Sequence, residues 1–148
     1  MKKVIPLVAG LFIFSFDRIS KWAVMKSFAE AQSLAVWPGI FHITRVNNTG
    51  AAFGILKNST PLLAVISIGC LAALLVMIVR SRSLNAGVMA WVLVAAGAAG
   101  NLYDRIFYGY VVDFLDFRVW PVFNIADSSI CVGVLFITIC LFKTSKVS

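Results

Sequence analysis

The sequence predicts an all-α membrane protein: four transmembrane helices with a small β element on the outer membrane surface. Three observations carry that fold class. The 148-residue chain is 61% hydrophobic, with a mean hydropathy of +0.95, well above an ordinary soluble domain. Its apolar residues collect in four stretches, near 4–24, 61–79, 87–106 and 122–142. Each is close to the roughly 20 residues a helix needs to cross a bilayer. Basic residues gather in the short segments on one side of those stretches. With four spans in so short a chain, little is left for a soluble domain, and residues 1–148 read as one integral membrane domain.

The first stretch begins like a signal peptide, with Lys2 and Lys3 ahead of an apolar run. Asp17-Arg18 and Lys21 interrupt that run, and no Ala-x-Ala cleavage site follows, so a retained first helix is expected. The loop after it contains Ile40–Val46, rich in β-branched and aromatic residues, then Asn47-Asn48-Thr49-Gly50. These predict a strand and a turn. Val111–Phe117, between the third and fourth stretches, has the same strand-like character. Trp22, Trp37 and Trp120 fall where interfacial anchors belong. The third stretch carries Ala95-Ala96-Gly97-Ala98-Ala99-Gly100, and small residues let helix backbones approach closely in lipid.

The net charge of +7 raises the possibility of nucleic acid, but its distribution argues against it. Lys2, Lys3, Arg80, Arg82, Lys143 and Lys146 lie in three short segments that an even-numbered bundle places on one side. Lys26, Arg45, Lys57 and Arg118 are spread thinly over the opposite loops. The positive-inside rule then puts both termini in the cytoplasm. Cys70, Cys131 and Cys140 have no paired or metal-type spacing and are expected as small buried apolar residues. His42 is the only histidine, so no metal site and no cofactor are expected.

Polar residues converge in depth. Asp17 lies roughly 20 Å along the first helix at 1.5 Å per residue, in the outer third of a core about 30 Å thick. Asn101, Asp104 and Arg105 occupy the last turns of the third stretch, and Asn124 and Asp127 the first turns of the fourth. Asp113 sits in the loop between them. Asp17 and Lys21, and likewise Asn101 and Arg105, are i,i+4 pairs on one face, and Asn124 and Asp127 are i,i+3. Charges at membrane depth are expensive and usually serve a function. Asp17 has Lys21 nearby, Asp104 adjoins Arg105, and Asp116 precedes Arg118 by two residues. Asp113 and Asp127 have no local basic residue. Burial without a counter-charge raises a carboxyl pKa, and two neighbouring carboxyls can share one proton. One can then act as base and the other as acid. The structural alternatives are a helix N-cap for Asp127 and a solvated loop acid for Asp113.

Four blocks in this order resemble bacterial lipoprotein signal peptidase, the signal peptidase II family. They are DRISK at Asp17–Lys21, NNTGAAFG at Asn47–Gly54, GNLYDR at Gly100–Arg105 with GYVVDF at Gly109–Phe114, and FNIADSS at Phe123–Ser129. The resemblance covers nearly the whole chain. It implies an aspartic endopeptidase of the bacterial inner membrane that removes signal peptides from prolipoproteins, cutting before a diacylglyceryl-modified cysteine. It places the catalytic pair on Asp113 and Asp127. Asp17, Lys21, Asn48, Gly50, Asn101, Asp104, Arg105, Asn124 and Ala126 fall on the family's other motif positions, as substrate-binding or supporting residues. It also implies inhibition by the cyclic peptide globomycin. Membrane lipid is the expected surrounding, and a monomer is expected.

Rival readings use the same residues. A proton-coupled transporter also employs intramembrane Asp and Arg, but the inner halves of these stretches are almost wholly apolar. Ser128 or Ser129 with Lys21 would make a Ser–Lys hydrolase, although neither serine has a special turn around it. A non-enzymatic membrane assembly subunit is the third alternative.

Overall fold

The computed structural model describes residues 4–50, 56, 59–81 and 86–145. Four helices and three strands follow in the order α1 (Val4–Ser27), β1 (Ser33–Trp37), β2 (Phe41–Asn48), α2 (Thr60–Arg80), α3 (Ala86–Phe107), β3 (Val111–Asp116) and α4 (Ile125–Ser145). Lys2, Lys3, Lys57, Arg82, Lys146 and residues 51–54 of the second block lie outside the described residues.

α3 is the central helix and packs against α1, α2 and α4. Its small residues make this possible. A Cβ on Gly97 would overlap the carbonyl oxygen of Ala126 and stand 2.8 Å from Ile130 Cγ1. The stripe of small residues therefore sets the α3–α4 crossing, as its composition predicts. Ala90, Ala95 and Ala96 are buried on the same helix. α2, by contrast, has no fully buried residue: one side is half-buried against α3 and the rest of its apolar surface faces outward. By length and composition, Thr60–Arg80 and Ile125–Phe142 are each long and apolar enough to cross a membrane. α1 and α3, of 24 and 22 residues, carry the polar residues of the site instead of a continuous apolar run.

The strands form one antiparallel sheet in the order β1-β2-β3. β1 was not expected from the sequence: Ser33–Trp37 is short, exposed along its whole length, and defined by its pairing with β2. β2 also runs further than expected. Asn47 and Asn48, read as the start of a turn, pair with Val112 and Val111. That pairing carries Asn48 onto the strand next to Asp113. A small apolar cluster of Val24, Val112 and Phe114 ties the end of α1 to β3. Arg45 adds a second tie, donating to the carbonyls of Phe28 at 2.9 Å and Met25 at 3.3 Å. It thereby satisfies orphan acceptors at the C-terminal end of α1.

α4 starts three residues later than the apolar run suggests. Phe123 first bridges to Leu115 of β3, and Asn124 then caps the helix. Cys70 and Cys131 are exposed on the outside of the chain, contrary to the expectation of burial, and Cys140 is half-buried. In a protein whose outer faces are apolar, apolar character no longer sorts residues to the inside.

Candidate active site

Two buried polar groups meet where α1, α3, α4 and β3 converge. The first is a charge cluster. Lys21 Nζ lies 2.9 Å from Asp17 Oδ2 and 2.8 Å from Asp104 Oδ2, and all three side chains are fully buried. Arg18 completes the set through an ion pair with Asp104, its guanidinium lying 4.2 Å from the centre of the Tyr103 ring. Two acids and two bases balance, as buried charges must. Asp17 Oδ1 also accepts the backbone N–H of Ala126 at 2.9 Å, so the cluster holds the first turn of α4 as well as joining α1 to α3.

The second group contains Asp113 and Asp127. Asn124 is the N-cap of α4: its Oδ1 accepts the Asp127 N–H at 2.8 Å, and Asp127 Oδ2 accepts the Asn124 N–H at 3.3 Å. This is the reciprocal pattern of a capping box. Asp127 is thus the third residue of the helix, and Asn124 takes the cap role considered for Asp127. The Asn124 amide donates to Asp113 Oδ1 at 2.6 Å. Asn48 donates to Asp113 Oδ2 at 2.8 Å and is itself held by the Gly50 N–H, which donates to Asn48 Oδ1 at 2.9 Å. Asn101 links the two groups, accepting from Lys21 Nζ at 2.9 Å and donating to Asp127 Oδ1 at 2.7 Å.

Among the described residues, Asp113 and Asp127 have no ion-pair partner, whereas Asp17, Asp104 and Asp116 each have one. Both line a cavity of about 970 Å³, with Asn48, Gly50, Asn101 and Arg105. Burial, followed by the neighbouring Asp127 charge, pushes the Asp113 carboxyl up to about 7, against the hydrogen bonds from Asn48 and Asn124 and the Lys21 charge. Asp116 behaves differently. Burial raises it, but hydrogen bonds from Thr44, the Arg118 N–H and the Arg118 guanidinium outweigh that and leave it below its usual value. Its salt bridge to Arg118 spans 3.0 Å.

All the candidate residues read from the sequence lie in or beside these two groups. Asp17, Lys21 and Asp104 form the charge cluster. Asn48, Gly50, Asn101, Arg105, Asp113 and Asp127 line the cavity, Asn124 is buried behind it and bonded to Asp113, and Ala126 contributes its backbone N–H. Arg105 does not pair with its neighbour Asp104. Arg18 was overlooked as a site residue: the sequence sets Asp104 beside Arg105, whereas in the structure its partners are Arg18 and Lys21. Trp120, expected as an interface anchor, is 59% exposed and also lines the cavity. No group of His, Cys, Asp and Glu among the described residues could hold a metal ion.

The fold and site are those of a small helical membrane enzyme. A solved bacterial membrane enzyme, determined by the in meso method at 2.3 Å resolution, superposes with a TM-score of 0.90 at 35% identity, covering 95% of this chain and 89% of that one. Another bacterial membrane enzyme, determined by the same method at 1.9 Å, gives 0.85 at 35% identity, with 94% and 93% covered. The family profile described as Signal peptidase (SPase) II matches residues 9–143, and the chain belongs to that family. It is similar to the lipoprotein signal peptidase of Halothermothrix orenii, 40% identical over 140 residues covering 95% of this chain and 97% of the relative. The lipoprotein signal peptidase of Nostoc punctiforme is also 40% identical, over 144 residues covering 95% and 91%. Membership of this family makes the chain a peptidase of lipoprotein maturation, acting on prolipoprotein.

Proposed function

We propose that the chain is an aspartic endopeptidase with Asp113 and Asp127 as its catalytic pair, cleaving prolipoproteins just before a diacylglyceryl-modified cysteine. The observation that carries this reading is the contrast among the acids of the site, Asp127 being half-buried and Asp17, Asp104 and Asp113 buried. Asp17 and Asp104 are neutralised by Lys21 and Arg18, while Asp113 and Asp127 share the Asn124 amide group and face one cavity without a cation bound to either. An ionised carboxylate takes a proton from water as the water oxygen attacks the scissile carbonyl. The protonated partner hydrogen-bonds that carbonyl oxygen and gives its proton to it. Collapse of the tetrahedral intermediate breaks the C–N bond, and a carboxyl proton passes to the leaving amine. Arg105, on the cavity wall, is placed to bind substrate backbone.

The reading extends to the membrane. α1 to α4 cross the inner membrane with both termini in the cytoplasm, and the sheet lies on the outer surface. Asp17, Asp104 and Asn124 then share one depth near that surface, where a lipid-anchored cysteine is presented. Exposed Trp22, Trp37 and Trp120 suit the interfacial belt. The acyl chains stay in lipid and hold the cut site at the right depth, each buried CH₂ adding about 0.8 kcal/mol of anchoring. A globomycin-type cyclic peptide that fills the cavity blocks the reaction, and the enzyme works as a monomer.

The deciding experiment follows release of signal peptide from lipidated and unlipidated forms of one precursor in detergent. The lipidated form is expected to be cleaved with the higher kcat/KM. Equal values for the two forms would remove the membrane-depth argument, and no release from either would remove the peptidase reading.

A further inference from the structure

Asn101 lies between the charge cluster and the catalytic pair, and its amide has only one chemically allowed orientation. Lys21 Nζ approaches one atom of that amide at 2.9 Å. An ammonium group has donors only, so the atom facing it must be the oxygen, Oδ1. The Asn124 amide donates to the same oxygen at 3.2 Å. With Oδ1 claimed by two donors, Nδ2 is turned the other way and donates to Asp127 Oδ1 at 2.7 Å. Lys21 cannot swing free, because Asp17 and Asp104 hold it at 2.9 Å and 2.8 Å and it is fully buried.

The surroundings of the two carboxyls differ. Asp127 receives the Asn101 amide on one oxygen and a backbone N–H on the other. It stands in the first turn of α4, where the positive end of the helix dipole favours a negative charge. Arg105 shares its cavity from α3, and the Lys21 charge faces it from α1 through Asn101. Asp113 also feels the Lys21 charge and shares the cavity with Arg105, but its direct hydrogen bonds come from neutral amides, Asn48 on β2 and Asn124 before α4. It sits within the strand β3 rather than in a helix turn. Both of its hydrogen-bonded neighbours are donors, so among the described residues neither amide competes for a proton on Asp113, which faces the cavity.

We propose that Lys21 is a positioning residue that acts through Asn101, turning its amide toward Asp127 so that Asp127 is the ionised base and the shared proton stays on Asp113. The inference rests on the aspartic reading above and assigns the two roles within it. In the forward step, Asp127 takes the proton from water, and Asp113 gives its own to the carbonyl oxygen.

The test measures kcat/KM against pH for the full-length enzyme with a diacylglyceryl-modified precursor. Asn101→Leu removes the donor to Asp127 while leaving Lys21 with Asp17 and Asp104. The acidic limb is expected to move up by about one pH unit, the scale of one lost charge-assisted hydrogen bond. The alkaline limb, set by Asp113 near 7, should stay in place. A charge-balanced pair, Lys21→Met with Asp104→Asn, should move the acidic limb in the same direction. Lys21→Arg, which keeps a donor-only cation, should restore it. If the charge-balanced pair does not fold, Asn101→Leu and Lys21→Arg decide the matter alone. A residue that merely supported the fold would scale the whole profile without moving one limb. Asp113→Asn and Asp127→Asn serve as controls. Turnover by either of them sinks the aspartic reading and the inference with it. Two inactive controls beside an unmoved acidic limb in Asn101→Leu overturn the inference alone.

Discussion

Gly100 and Asp17 meet so closely that a Cβ on the glycine would stand 2.6 Å from Asp17 Oδ2 and 3.2 Å from its Cγ. Asp17 is pinned there by Lys21 and by the Ala126 N–H, so it has nowhere to move. Gly100→Ala is therefore expected to lower stability by about 1–3 kcal/mol, the usual cost of overpacking a filled interior. It should also reduce turnover, because the displaced carboxylate also holds the first turn of α4. Thermal unfolding in detergent, measured beside cleavage rate, checks both effects. An alanine variant as stable and active as the parent would mean that the two helices can separate freely here.

Asp17 itself is a stabilising rather than a reacting group. Removing one partner of a buried charge set leaves the others uncompensated, at a cost of about 3–5 kcal/mol. Asp17→Ala should unfold at a markedly lower temperature. Asp17→Asn keeps an oxygen for the Ala126 N–H and should lose less. Equal unfolding temperatures for the two variants would show that the bond to Ala126 contributes nothing.

Stability should carry the signature of Asp113. Its carboxyl stands at about 7 in the folded protein against 3.8 for the free group. A raised pKa means that the folded state holds the proton more tightly. The resulting stabilisation is complete below pH 3.8 and is lost as pH rises through about 7. Asp113→Asn should flatten the change in unfolding temperature over that interval. An identical pH dependence in the variant would show that another group is responsible.

Asp116 provides the comparison within the same strand. It is bound to Thr44 and Arg118 on the sheet and does not line the cavity. Asp116→Asn retains an oxygen for both partners and is expected to keep most of the parental cleavage rate. A loss as deep as that of an inactive variant would place the reaction nearer the sheet than Asp113 and Asp127 suggest.

The four helices were legible as long apolar stretches, two of which, Thr60–Arg80 and Ile125–Phe142, are long and apolar enough to cross a bilayer. The acids were legible because they are few, and because Asp113 and Asp127 stand apart from any basic residue along the chain. What could not be read were relations across sequence. Arg18 and Asp104, separated by 86 positions, give no local sign that they pair. The β1 strand is defined by its partner rather than by its own short, exposed sequence. Phe123 looks like the start of a helix until its bridge to Leu115 delays α4 to Ile125. The cysteines were misplaced because lipid-facing and core-facing residues share the same apolar chemistry.

The bond from Asp17 to Ala126 joins residues 109 positions apart, and this has a consequence for synthesis. During translation α1 emerges long before α4, so Asp113 spends an interval without Asn124 or Asp127 beside it. The contacts that hold Asp113 and the first turn of α4 therefore form only after most of the chain has been made. If Asp113 and Asp127 are the reacting pair, the site is completed only by the arrival of the fourth helix.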